Sequence, residues 1–155
     1  LADIGKQPLS DDDRETWEDL ISFLTNLEHI GDIIDKNLSL LARKRIKKQI
    51  SFSDEILQEI LDIHDAVVKN YKLALSVFYN KDIQQARQLY ESKQKIRELE
   101  RNATENHYVR LQSRHAENVE NSTVHMDIIR DLKRIHSHIT TVAYPILRKN
   151  GERRP

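Results

Sequence analysis

Glu28 and Asp32 stand four residues apart in the segment Asn26-Leu27-Glu28-His29-Ile30-Gly31-Asp32-Ile33-Ile34-Asp35-Lys36-Asn37. On a helix that spacing sets both carboxylates on one face. Like charges so placed repel, and taking them out of water is costly without a cation or hydrogen-bond donors. Three arrangements satisfy them: solvation with ordinary ion pairs, a Lys or Arg from a neighbouring helix, or a divalent or trivalent metal ion held by oxygen ligands. Both flank Gly31, so the pair is expected beside the apolar seam. Gly31 there either admits a close helix or leaves room for a polar group.

Other chemistry-bearing residues are less suggestive. His136 and His138 are two apart and point in different directions on a helix. With His29, His107 and His125 they read as packing or hydrogen-bonding residues. Asp127 and Asp131 repeat the four-residue acidic spacing, but Arg130 and Lys133 beside them suit surface ion pairing. The chain has no HExxH, phosphate-binding loop, GxGxxG, GxSxG or kinase motif. No nucleophile with a convergent base is apparent, so an enzyme would have to work through carboxylates alone.

Charge separates binding classes. The chain has 25 Lys and Arg against 25 Asp and Glu, which gives no general attraction to nucleic acid or anionic membrane. Arg43, Lys44, Arg45, Lys47 and Lys48 nevertheless form a basic knot. No aromatic interleaves with it, so it offers no stacking platform, and nucleic acid is not an expected partner. Cysteine is absent, which removes disulfides and thiolate chemistry. No run reaches the roughly 18 apolar residues of a membrane span.

These residues must be positioned by helices. The prolines are Pro8, Pro145 and Pro155, and Leu, Glu, Lys, Gln and Arg dominate the stretches between. A first helix is expected over about 11–47, with Ser10 and Asp13 resembling a capping box. Its seam is Trp17, Leu20, Leu24, Leu27, Gly31, Ile34, Leu38 and Leu41, a coiled-coil spacing. A second helix is expected over 54–79, capped by Ser51 or Ser53. A third starts after Asp82, with polar seam positions near Lys93 and His107. A fourth spans 122–147, its start ambiguous over 113–121 and its last turn open to a kink at Pro145. Short links between long helices make sequential neighbours antiparallel, which predicts an all-α, elongated bundle of about four long helices. Residues 11–150 form the bundle, 1–10 a tail or linker from a longer parent, and 151–155 a C-terminal tail.

The segment Leu27-Glu28-His29-Ile30-Gly31-Asp32 through Asn37 resembles the LERIGD…N signature of the PhoU family. The resemblance implies a helical regulator of phosphate uptake and places Glu28 and Asp32 on positions that ligate metal clusters in some members. Ala74-Leu75-Ser76-Val77-Phe78 followed by Asp82-Ile83-Gln84-Gln85-Ala86 is similar to a helix-turn-helix of that family. Residues 130–138 look like a second signature copy, in which Arg130 and Arg134 match but Lys133 replaces the glutamate and Ser137 the aspartate. That departure suggests Lys133 as a neutralising cation for Glu28 or Asp32.

PhoU-like domains of this variant kind occur at the cytoplasmic C-terminus of bacterial sodium/phosphate cotransporters. The resemblance therefore implies a non-enzymatic regulatory domain at the cytoplasmic face of the inner membrane. Its partners would be the membrane portion of the same polypeptide and a second copy. Arg43, Lys44, Arg45, Arg130, Lys133 and Arg134 are the candidate interaction residues. Two alternatives stand beside this: a metal sensor or metal-dependent enzyme using Glu28 and Asp32, and a structural dimerisation bundle.

Overall fold

The structure, a computed structural model, describes residues 10–112 and 119–151, and among them every element is helical. The elements are α1 (Asp11–Asp32), a π-helical turn (Ile33–Leu38), α2 (Ser39–Lys47), α3 (Asp54–Asn80), α4 (Ile83–Gln112), α5 (Val119–Thr140) and α6 (Ala143–Lys149). Of the expected tails at 1–10 and 151–155 only Ser10 and Gly151 fall within the described residues, and the link at 113–118 lies outside them.

Helix starts depend on short polar side chains that accept a free backbone N–H. Ser10 accepts from Asp13 N and Ser53 from Ile56 N, each from an extended backbone. Asp82 Oδ1 accepts from Gln85 N at 2.7 Å. α3 ends on Lys81 in the left-handed region (φ 54°), whose N–H returns to Val77 O. Pro145 does not kink the last helix from within. The chain breaks at Thr141–Val142 and restarts, leaving Pro145 in the first turn of α6, where its missing N–H is tolerated.

α5 is the hub, in contact with α3, α4, α1, α2 and the π turn. Sequential long helices are antiparallel, so α3 and α5 run parallel: Glu59 meets His125 at one level and Asn70 meets His136 further along. Ile63, Val77, Leu89, Ile96 and Ile129 are wholly or almost wholly buried at the centre of this three-helix packing. A second apolar cluster, Ile50, Phe52, Ile56 and Val124, lies beneath the link between α2 and α3.

The first rod (α1, π turn, α2) lies along α5 and is covered on one side only. None of the described α1 side chains is fully buried. The seam expected from the sequence is therefore only half realised: Leu20, Leu27, Leu38 and Leu41 are partly buried, whereas Leu24 is 40% and Ile34 49% exposed. Ile33, not Ile34, enters the core, and its N–H still bonds His29 O in the ordinary α pattern; the wider winding follows it, where Ser39 N–H reaches back to Ile34 O.

Candidate functional site

The two signature copies lie side by side, one on the first rod and one on α5. His138 Nδ1 donates to Asn26 Oδ1 at 2.9 Å, and the His29 and His138 rings are 5.1 Å apart. Burial, with His29 and Arg134 adding to it, lowers the His138 pKa and favours its neutral form. At the other end of the contact Asn37, in the π turn, donates to Asp131 Oδ1 at 3.2 Å. Arg134 Nη1 reaches the same oxygen at 2.9 Å. Asp131 is buried, so these two donors offset the cost of keeping a carboxylate out of water. The expected surface pairing is found for Asp127, which pairs with Arg130, while Asp131 enters a junction between helices instead of pairing with Arg130 or Lys133.

Glu28 and Asp32 are both exposed and point away from α5, not beside the seam. A Cβ built on Gly31 between them meets nothing within 4 Å, so none of the described helices approaches there. The neutralising cation is not Lys133. Lys133 bonds Glu100 of α4, on the far side of α5. Lys36 serves instead, its Nζ 2.8 Å from Asp32 Oδ2 one turn along the same helix. The hydrogen bond and charge of Asp32, followed by Asp35 and Glu28, hold the Lys36 ammonium above its usual range.

A metal cluster does not fit these donors. Two exposed carboxylates stand without a third ligand, and among the described residues no three His, Asp or Glu side chains converge. In the second copy Lys133 and Ser137 occupy the positions that would have faced the ion. Arg43 and Arg45 are exposed and Lys44 half-buried. Arg45 is held by Ile50 O at 3.3 Å and lies over the Phe52 ring, so part of the basic knot anchors the α2–α3 link.

Two polar junctions, one buried and one partly buried, use His136 and His125 as the expected hydrogen-bonding or packing residues, but with partners that the sequence did not indicate. His136, fully enclosed, has Nε2 3.0 Å from both Asn70 Nδ2 on α3 and Ser92 Oγ on α4. Burial, and then the charge of Lys93, lowers its pKa to about 4, so Asn70 donates to a neutral imidazole. Glu59 is the second junction. It accepts both guanidinium nitrogens of Arg110 at 2.9 and 3.1 Å and Asn106 Nδ2 at 2.9 Å. His125 Nε2 is 3.0 Å away, close enough to pair though poorly aligned for a hydrogen bond. Burial alone would raise the Glu59 pKa; the close approach of His125 and the hydrogen bonds from Arg110 and Asn106 outweigh it and bring it to about 2. Asn70 was the available clue, a polar residue inside the apolar register of Ile63, Val67, Ala74 and Val77.

Fold and paired signatures together define the class: the chain belongs to the PhoU domain family, which matches residues 60–146. That match leaves α1 outside it, but the relatives below align with nearly the whole length. The chain is 34% identical over 147 residues to the Salmonella typhimurium protein described as "Putative inorganic phosphate export protein YjbB", covering 95% of this chain and 27% of that protein. It is 32% identical over 152 residues to the protein of the same description in Escherichia coli K12, covering 98% and 28%. The chain thus spans little more than a quarter of the length of these curated relatives. No solved structure matches it.

Proposed function

We propose that this chain is the regulatory domain of a phosphate-transporting membrane protein, lying at the cytoplasmic face of the bacterial inner membrane and acting by contact rather than by catalysis. The observation that carries the reading is the near-complete alignment of this PhoU-family chain with about a quarter of proteins named for inorganic phosphate export. No helix among the described residues is long and apolar enough to cross a membrane, so passage of phosphate belongs to other parts of such a polypeptide. Sodium dependence is the finer part of the proposal and rests on the signature resemblance.

The geometry supplies a means. α1 is attached to the bundle chiefly through α5, by a few polar contacts at Asn26, Asn37 and Asp131 and a half-buried apolar edge. Such an arm can exchange one packing face for another without unfolding the core. Deleting residues 1–155 from the parent and measuring phosphate flux in vesicles at several phosphate and sodium gradients tests this. The expected result is flux that persists but no longer responds to phosphate level. Flux whose response is unchanged by the deletion would overturn the reading.

A further inference from the structure

The α2 end of the first rod mixes charge of one sign with apolar side chains left in water. Residues 36–48 hold six Lys and Arg and no Asp or Glu. Part of this charge is used within the chain: Lys36 pairs with Asp32, and Arg45 holds the α2–α3 link through Ile50 O and the Phe52 ring. Arg43, Lys44 and Lys47 have no ion-pair partner among the described residues. Leu40, Arg43, Ile46 and Lys47 stand three and four residues apart and so share one side of α2. Leu40 is 61% and Ile46 78% exposed there. Ile46 also lines a cleft of about 530 Å³ with Leu41, Phe52, Leu57 and Ile128, so apolar surface continues beside it. Carboxylates of the neighbouring helices do not oppose the cations. Asp127 of α5 is paired with Arg130, while Asp54 and Glu55 of α3 line a separate cleft with Asn106 and Arg110 of α4.

We infer that this side of α2 is a footing on an anionic phospholipid bilayer, with Arg43, Lys44 and Lys47 among the headgroup phosphates and Leu40 and Ile46 pressed beneath them. Cations alone are accounted for by the helix dipole, which favours them at a C-terminal end. The dipole gives no reason for an isoleucine among them. A surface that is anionic at its face and apolar below satisfies both side-chain types at once. Each cation near such a surface contributes about fivefold in affinity, and burial of one isoleucine about tenfold. Nucleic acid would take the same charge but leave the two aliphatic side chains in water, and no aromatic stands among them for bases to stack on. A free phosphate ion would leave Ile46 in water too. Three cations and two apolar side chains fall short of a permanent anchor, so the contact is reversible. Because α2 belongs to the arm and not to the three-helix core, lipid contact bears directly on where the arm lies. The membrane is the one proposed above as the setting of the domain.

Flotation of the 155-residue chain with phosphatidylcholine vesicles, with and without about 30% phosphatidylglycerol, tests the footing. The expected result is binding to the anionic vesicles only, weakening as salt rises from about 50 to 500 mM. Arg43→Ala/Lys44→Ala/Lys47→Ala should lower affinity about a hundredfold, and Ile46→Gln about tenfold with the salt dependence kept. None of these side chains is buried, so both variants should melt close to the parent. The chain has no cysteine, so an environment-sensitive dye on Ile46→Cys reports that position alone. Its emission should shift to the blue on anionic vesicles. Inorganic phosphate at about 10 mM should compete no better than chloride of equal ionic strength. Preferential competition by phosphate would mean an ion site and overturn the inference. So would a dye left in water on bound vesicles, equal binding to both vesicle types, or a chain that takes RNA through these residues and ignores lipid. Such failure leaves the proposed control of flux standing, and flux indifferent to the domain leaves the lipid contact standing, because the two are measured separately.

Discussion

The two signature copies share a spacing and have opposite surroundings. On the first rod Glu28, Gly31 and Asp32 face open space, and the acidic pair is served by Lys36 of the same helix. On α5 the equivalent turn is enclosed: Ile135 and His136 are buried, and Asp131 just before them is held by Asn37 and Arg134. The difference is one of cover. α5 has neighbours on several sides, so its polar residues must be paired through the core, whereas the rod has a neighbour on one side and can leave its charges to water. Similar local sequence thus serves packing in one place and presentation in the other.

Substitution of one isoleucine in each copy should separate the two copies most. Ile135→Ala should lower unfolding free energy by about 2–5 kcal/mol in urea titration, while Ile34→Ala, half exposed, should cost less than about 1 kcal/mol. Equal losses would remove the contrast. Next in size is the pH response of His136. Its folded pKa of about 4 lies below the ordinary 6.5, so the neutral folded form contributes stability that is fully present above about 6.5. That contribution, up to ~3 kcal/mol, is lost as pH falls from about 6.5 towards 4. His136→Gln should flatten thermal stability over that window; an unchanged slope would show that another group is responsible.

Charge removal should show the same division. Asp131→Ala leaves the Asn37 amide and Arg134 without their acceptor and should cost about 1–3 kcal/mol, against less than about 0.5 kcal/mol for Asp32→Ala at the surface. Thermal melts of the two variants are a direct comparison. The smallest effect is expected of metal: protein purified without chelator and the Glu28→Ala/Asp32→Ala variant should carry the same metal content, near zero. Stoichiometric metal lost in the variant would mean that a third ligand completes the exposed site.

The helix ends were legible because their causes are local. Ser10, Ser53 and Asp82 each declare a start by side-chain chemistry within three residues of sequence. The apolar stripes of α3 and α5 were legible too, since Ile63, Val67, Val77, Ile129 and Ile139 repeat at helical spacing and are buried. The rod's partner face was not. Leu24 and Ile34 belong to a regular seam, but a seam shows that a helix can be covered, not that its own chain covers it. The π turn was hidden for another reason: it changes which carbonyl each N–H chooses, and side-chain types barely record that choice. Lys133 shows a third limit. Its type suited a partner for Glu28, but the azimuth of α5 directed it to Glu100 instead.

The wide turn at Ile33–Leu38 also sets the phase of the whole rod beyond it. Each residue of an α-helix advances the chain by about 100°, so at ordinary winding one surplus residue would turn the whole of α2 against α1 by about that angle, and the wide turn takes it up instead. Loss of a single residue between Ile33 and Leu38 would be absorbed as a return to ordinary winding, with the helix unbroken. Leu41 above the α2–α3 link, and Arg43 and Lys47 on the surface, would keep their places, because at ordinary winding one residue fewer turns through about the same angle as the wide turn. Winding in this rod therefore holds direction steady where length changes.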